Sequence, residues 1–310
     1  MYRFFAVGLF LLMTVVAPLS PTAEAKSGTS NPEAPAKSDA EIFRDAIKEQ
    51  TEIINKNPKD VDAYYRRGNA YANLKEYKKA IDDYDRALAI NPKERRVLLN
   101  RANSRGKFGD HKGAVEDYSK VLELKPTDTT ALYGRCLARA ASGSFDDAIK
   151  DCSRVIELDN KYASAYVNRG SIYSNLGKHK DAIADYSEAI KLNPKSEVAY
   201  YNRSSEYGAI GDYKNVIKDA TTALELDPAN DGALANRGNA YLKLGKTKEA
   251  IKDFDLALAL NPKYAVAYFG RGAAYGKLGD KMTAIEDYKK AARLGLIPAQ
   301  EFLKSQNVKW

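Results

Sequence analysis

Small and apolar residues recur along this chain at a fixed interval. Pro58, Pro92, Pro126, Pro194, Pro228 and Pro262 lie 34 residues apart or a multiple of that, with Asn160 in the vacant slot. No insertion or deletion interrupts the period. Cut at Val61, Arg95, Thr129, Ala163, Glu197, Asp231 and Ala265, the chain gives seven repeats: 61–94, 95–128, 129–162, 163–196, 197–230, 231–264 and 265–298. Position eight is always small (Gly68, Ala102, Cys136, Gly170, Ser204, Gly238, Gly272), and positions twenty and twenty-seven are alanine or valine throughout. Each repeat carries two apolar stripes of helical period, parted by pairs such as Gly109-Asp110, Gly177-Lys178 and Gly245-Lys246. Small residues on facing stripes let two helices approach closely. The predicted unit is a helical hairpin, and stacked hairpins make an all-α solenoid.

The flanks differ from the repeats. Residues 39–60 read as a second helix without its first, an N-terminal capping half-repeat with Ser38 and Glu41 spaced as a capping box. Residues 298–310 read as a C-terminal capping helix, with Pro298 at its start and Phe302 and Leu303 available to close the end. Met1–Ala25 has the order of a signal peptide: Arg3, the apolar run Phe4–Ala17, then Ala23-Glu24-Ala25 as a cleavage site. The run is shorter than the roughly 20 residues that span a bilayer. The expectation is an exported protein, periplasmic in a bacterium or else secreted, with no integral membrane span after cleavage. The competing reading is an uncleaved anchor. Residues 26–38, rich in Ser, Pro and Ala, read as a flexible linker.

A stretch such as Ala163-Ser-Ala-Tyr-Val-Asn-Arg-Gly170, followed by Tyr173, Gly177, Ala182, Tyr186, Ala189 and Pro194, resembles the tetratricopeptide repeat family. The resemblance implies a right-handed superhelix of helix pairs, the first helix of each pair lining a concave groove. It also implies protein binding without catalysis. Tyr64, Tyr71, Tyr84, Tyr166, Tyr173, Tyr186, Tyr268, Tyr275 and Tyr288 then become packing residues, which accounts for much of a tyrosine count of 21.

Two positions carry a charge code. Position seven is arginine in every repeat (Arg67, Arg101, Arg135, Arg169, Arg203, Arg237, Arg271), where the family more often has an aliphatic residue. Position twenty-three is always aspartate (Asp83, Asp117, Asp151, Asp185, Asp219, Asp253, Asp287). Counting 100° per residue predicts pairing across junctions, Asp83 with Arg101, Asp117 with Arg135 and so on, with Glu49 serving Arg67. Pairing inside a repeat is the competing geometry. Cys136 and Cys152 occupy positions eight and twenty-four of one repeat, where others put Gly68 with Tyr84 or Gly170 with Tyr186. The joint replacement suggests contact; a bridge and a pair of small buried residues both fit.

The groove stripe is positions two, five, six, nine, twelve and thirteen. It offers Tyr65, Tyr133, Tyr201 and Phe269 at position five, Asn100, Asn168, Asn202 and Asn236 at position six, and Asn69, Asn103 and Asn239 at position nine. An amide donates and accepts at once, so such a ladder suits an extended peptide backbone, as in long peptide-binding superhelices of the family. These amides are expected to be solvated in the unbound protein. Asparagine at position six as mere repeat consensus is the alternative. The family's carboxylate clamp is not matched, because its basic slots hold Tyr65, Thr130 and Gly134.

Composition narrows the chemistry. The 49 Lys+Arg and 41 Asp+Glu leave a net charge of +8, spread without a like-charge block, so it reads as a solvated surface with no nucleic-acid partner. Two cysteines and two histidines, His111 and His179 in hairpin turns, supply no metal set, no cofactor site and no triad. The expectation is a scaffold for a protein or extended peptide. The competing class is a carbohydrate- or polyanion-associating envelope protein using the positive charge and groove rings.

Overall fold

The computed structural model describes residues 37–310, and among these it has sixteen helices and no strand. The signal segment and most of the linker lie outside the described residues. A lone helix, α1 (Asp39–Lys56), opens the array. Seven hairpins follow: α2 (Val61–Asn73) with α3 (Tyr77–Ile90), α4 (Arg95–Phe108) with α5 (His111–Leu124), α6 (Thr129–Ala141) with α7 (Phe145–Leu158), and α8 (Ala163–Asn175) with α9 (His179–Leu192). The series continues with α10 (Glu197–Ala209) and α11 (Tyr213–Leu226), α12 (Asp231–Lys243) and α13 (Thr247–Leu260), α14 (Ala265–Lys277) and α15 (Lys281–Arg293), and ends in α16 (Ile297–Ser305).

Local sequence sets the helix ends. Asp60, Asp110, Asp128, Ser196, Asp212, Asn230 and Asp280 each accept the backbone N–H three residues on, satisfying a donor the helix cannot. Ser38 and Glu41 form a reciprocal capping box on α1. Six first helices stop at a glycine in the left-handed region, Gly109 to Gly279 at position fifteen, whereas the first repeat places Lys75 there at φ 61°.

Consecutive helices pack antiparallel, and each first helix also touches the first helix of the next repeat. No second helix makes a comparable contact with the next second helix. The first helices therefore lie on the inner radius of the superhelix, and their outward stripe forms the concave face. Alanine and valine at positions twenty and twenty-seven are buried at every hairpin, as at Ala114, Val121, Val155 and Ala250. Aromatic rings fill the gaps above them. A Cβ at Gly68 would lie 2.6 Å from the Tyr84 ring, so that pair interlocks only with glycine. In the third repeat Cys136 and Cys152 stand in those two slots, both fully buried, and are joined by a disulfide with Cα atoms 5.6 Å apart. At the end of the array Leu303 of α16 is fully buried and Phe302 packs on Tyr288, ring centroids 4.5 Å apart. No helix among the described residues is long and apolar enough to cross a membrane.

Candidate functional site: the concave face

The scaffold beneath the groove is held by the arginines, in a geometry different from the predicted one. Each position-seven arginine grips the aspartate of its own repeat through Nε and Nη2: Arg67 with Asp83, Arg101 with Asp117, Arg135 with Asp151, Arg169 with Asp185, Arg203 with Asp219, Arg237 with Asp253 and Arg271 with Asp287. All fourteen bonds measure 2.6–2.9 Å. The cross-junction pairs Asp83–Arg101 and Asp117–Arg135 do not form. What crosses each junction is Nη1, which reaches position twenty-five of the preceding repeat at 2.6–3.2 Å: Thr51, Asp85, Ser119, Ser153, Ser187, Thr221 or Asp255. Arg67 thus meets Thr51 and not Glu49. An ideal wheel placed position seven between helices but could not resolve which arm of a long, forked side chain would reach which neighbour.

These groups are mostly buried, and tyrosines flank several. Arg169 lies over Tyr166 and Tyr173, with the guanidinium carbon 5.8 and 5.9 Å from the ring centroids. At Arg67, Arg169, Arg237 and Arg271 the aspartate hydrogen bond is the largest influence and raises the guanidinium pKa. At Arg101 and Arg203 burial is largest and opposes it, but the net direction is still upward. These are fixed charges that set register.

The groove residues fall into distinct groups. Asn100 donates from Nδ2 to the Tyr65 hydroxyl at 3.2 Å and to Asn69 Oδ1 at 2.7 Å, and Tyr84 also donates to that Asn69 oxygen at 2.7 Å. Asn168 donates to the Tyr133 hydroxyl at 2.7 Å and to the Ser164 carbonyl at 2.8 Å. Asn236 donates to Ser204 at 3.1 Å and Ser205 at 2.8 Å, not to Tyr201. Asn202 is only 3% exposed, and its Oδ1 has no partner among the described residues. Asn103 is exposed and Asn239 half-buried.

The ladder is therefore not a set of free amides. Its –NH2 groups are mostly turned to the preceding repeat, while Oδ1 of Asn100, Asn168 and Asn236 accepts nothing from the described residues. The rings are also engaged: Tyr133 packs on Tyr162 with centroids 5.0 Å apart, Phe269 on Tyr288 at 5.2 Å, and Arg96 lies over Tyr65 at 5.2 Å. Burial pushes the Tyr133 hydroxyl up to about 12 and raises that of Tyr201, so both stay neutral donors at ordinary pH.

Profiles described as tetratricopeptide repeat match residues 61–94 and 163–196, 99–163, 220–252, and 198–230 with 265–294; a further TPR repeat profile matches 238–279. The chain belongs to the tetratricopeptide repeat family. No curated protein matches its sequence. Among solved structures, the fold is similar to a chain of the APC/C hetero-tetramer Cut9–Hcn1, at 19% identity and a TM-score of 0.61, over 85% of this chain and 52% of that one. This tetratricopeptide repeat protein thus spans about half the length of that relative. It is also similar to a tetratricopeptide repeat protein from Parabacteroides merdae (20% identity, TM-score 0.60, 84% of this chain and 98% of that one). A third similar structure is YrrB, described as a TPR protein with an unusual peptide-binding site (20% identity, TM-score 0.52, 61% and 99%). Likeness at these identities establishes the fold.

Two features of this face lie outside the expectations from sequence. The position-twenty-five partners had a legible signal: the position is Ser, Thr or Asp wherever an arginine follows, and Lys289 in the seventh repeat, where none does. The second is Glu206, 5% exposed, which accepts from Ser174 Oγ at 2.6 Å and bonds His179 Nδ1 at 2.7 Å. His179 is thus tied to the next repeat and is more than a turn-packing residue. The signal there was a carboxylate at position ten, otherwise Ala70, Ser104, Ala138, Ile172, Ala240 and Ala274.

Proposed function

We propose that this tetratricopeptide repeat protein is an exported, non-catalytic scaffold of a bacterial envelope that holds an extended polypeptide along its concave face. The observation that carries the reading is the row of Asn100, Asn168 and Asn236, each fixed through Nδ2 with Oδ1 left as an acceptor. A fixed acceptor on alternate repeats suits the backbone N–H groups of a strand-like ligand, because its orientation is set before binding. Half-buried rings beside the amides add contact area at little entropic loss. Export is supported by the buried Cys136–Cys152 bridge, a bond that persists in oxidising compartments, together with the pattern of Met1–Ala25.

The test is site-specific photocrosslinking in the native envelope. A photoreactive residue at Asn103, on the inner face, should capture a polypeptide; one at Lys252, exposed on the outer helix α13, should not. Adducts formed only from Lys252 would overturn the groove reading.

A further inference from the structure

The junction between the fourth and fifth repeats buries two polar side chains on one face of α10, Asn202 and Glu206. Position six is glycine under an aromatic ring in the third and seventh repeats, where a Cβ at Gly134 would lie 2.3 Å from Tyr118 and one at Gly270 2.4 Å from Phe254, and it is asparagine in the second, fourth, fifth and sixth. Here the slot holds Asn202, facing the repeat that carries Tyr186. One turn further along α10, on the same face, position ten holds Glu206 where four repeats have alanine. Both side chains are more than nine-tenths buried.

The hydrogen-bond inventory of this seam is unbalanced. Its acceptors are both Glu206 oxygens and the partnerless Asn202 Oδ1; the donors reaching the carboxylate are Ser174 Oγ and His179 Nδ1. A carboxylate offers about four lone-pair sites, so two donors leave acceptor capacity unused beside an amide oxygen with none. A buried carboxylate at a slot four repeats fill with alanine, on the same helix face as an amide oxygen with no partner among the described residues, is costly for folding. Such a departure from the repeat's own rule marks a functional or strained site. Ser174 is half-buried on the inner stripe and His179 is one-third exposed, so the cluster opens toward the groove edge.

We propose that this seam, resting on the groove reading above, is a subsite for the cationic side chain, lysine or arginine, of the bound polypeptide. The cation supplies N–H donors to Asn202 Oδ1 and to the free lone pairs of Glu206, and neutralises the carboxylate. This acts against the protein's net charge of +8, which repels cationic peptides at long range, so any preference for them must arise locally.

The test uses the full exported chain and four fluorescein-labelled dodecapeptides of Ser and Ala that differ only at a central residue: Lys, Arg, norleucine or Glu. A charge-assisted contact predicts that the Lys or the Arg peptide binds about 10-fold tighter than the norleucine peptide; which of the two gains identifies the occupant. Glu206→Gln should reduce that preference to about 2-fold or less, because the charge that distinguishes the Lys and Arg peptides from the norleucine peptide is gone. Glu188→Gln, on the outer helix α9, changes total charge equally and should leave the preference intact. Glu206→Ala restores the residue four repeats use, so its melting temperature should equal or exceed that of the parent, which shows that lost preference is not lost folding. A preference that survives Glu206→Gln, or equal binding of the Lys, Arg and norleucine peptides, overturns the subsite and leaves the groove reading standing. Failure of all four peptides to bind overturns both.

Discussion

Arg169 of the fourth repeat reaches back to the Ser153 hydroxyl of the third at 2.8 Å, while its other two nitrogens hold Asp185 of its own hairpin. One side chain thus joins two helices of one repeat and ties that repeat to its predecessor.

The two contacts differ in weight. Removing Asp185 by Asp185→Ala leaves a largely buried guanidinium without its counter-charge, a loss of about 3–5 kcal/mol. Ser153→Ala deletes one bond to a group that water can partly reach, a loss of about 1 kcal/mol. Urea-unfolding midpoints should rank the variants in that order. Equal losses would place the main weight at the junction and not in the hairpin.

Lys75 occupies the left-handed position that glycine fills in the other six repeats, at φ 61°. An L-residue there is disfavoured by about 1–2 kcal/mol. Lys75→Gly should raise stability by roughly 1 kcal/mol after glycine's greater unfolded-state freedom is subtracted. A thermal melt that shows no gain would mean that the Lys75 side chain makes a compensating contact.

Repeat period, helix pairing and the groove stripe were legible because they depend on spacing, which 34-residue periodicity repeats seven times. Which side chains touch depends on rotamer and reach. The wheel angle of Arg101 is compatible with Asp83 or Asp117, and only the folded geometry selects Asp117. The groove amides failed for a related reason. Spacing places Asn168 on the inner face, but the hydroxyl of Tyr133, one repeat earlier, draws its –NH2 group away from solvent. Glu206 is not legible in the periodicity because it departs from the repeat, whose position ten is alanine in four of seven copies.

Reducing the Cys136–Cys152 bond reopens a loop closed over a sequence separation of 16, a loss of roughly 3 kcal/mol in the chain-entropy model. Both cysteines are fully buried, so reduction should be slow in native buffer and fast in denaturant. The double variant Cys136→Gly, Cys152→Tyr installs the interlocked pair seen at Gly170 and Tyr186, where a Cβ on the glycine would lie 2.9 Å from the ring. Its stability should be the same with and without reductant. A reductant-sensitive double variant would show that the loss does not come from the bridge.

The groove asparagines allow binding and folding to be separated within one series. Asn168→Ala removes bonds to Tyr133 and Ser164, and Asn236→Ala removes bonds to Ser204 and Ser205, so each should lower stability as well as ligand affinity. Asn202→Ala deletes a buried oxygen that has no partner, so the fold should keep or gain stability. For the ligand, each lost neutral hydrogen bond is worth about 0.5–1.5 kcal/mol, and the triple variant Asn168→Ala, Asn202→Ala, Asn236→Ala should lose roughly 1.5–4.5 kcal/mol. That corresponds to about 10-fold to 2,000-fold in affinity. The photocrosslinked partner of Asn103, once sequenced, supplies the peptide for a titration, and urea midpoints supply the stability arm. A folded triple variant with unchanged affinity would mean that these amides hold repeats together and nothing else. Asn202→Ala alone separates the two effects, because that site among the three contributes no bond to the fold: a loss of affinity at full stability would assign that loss to the groove floor.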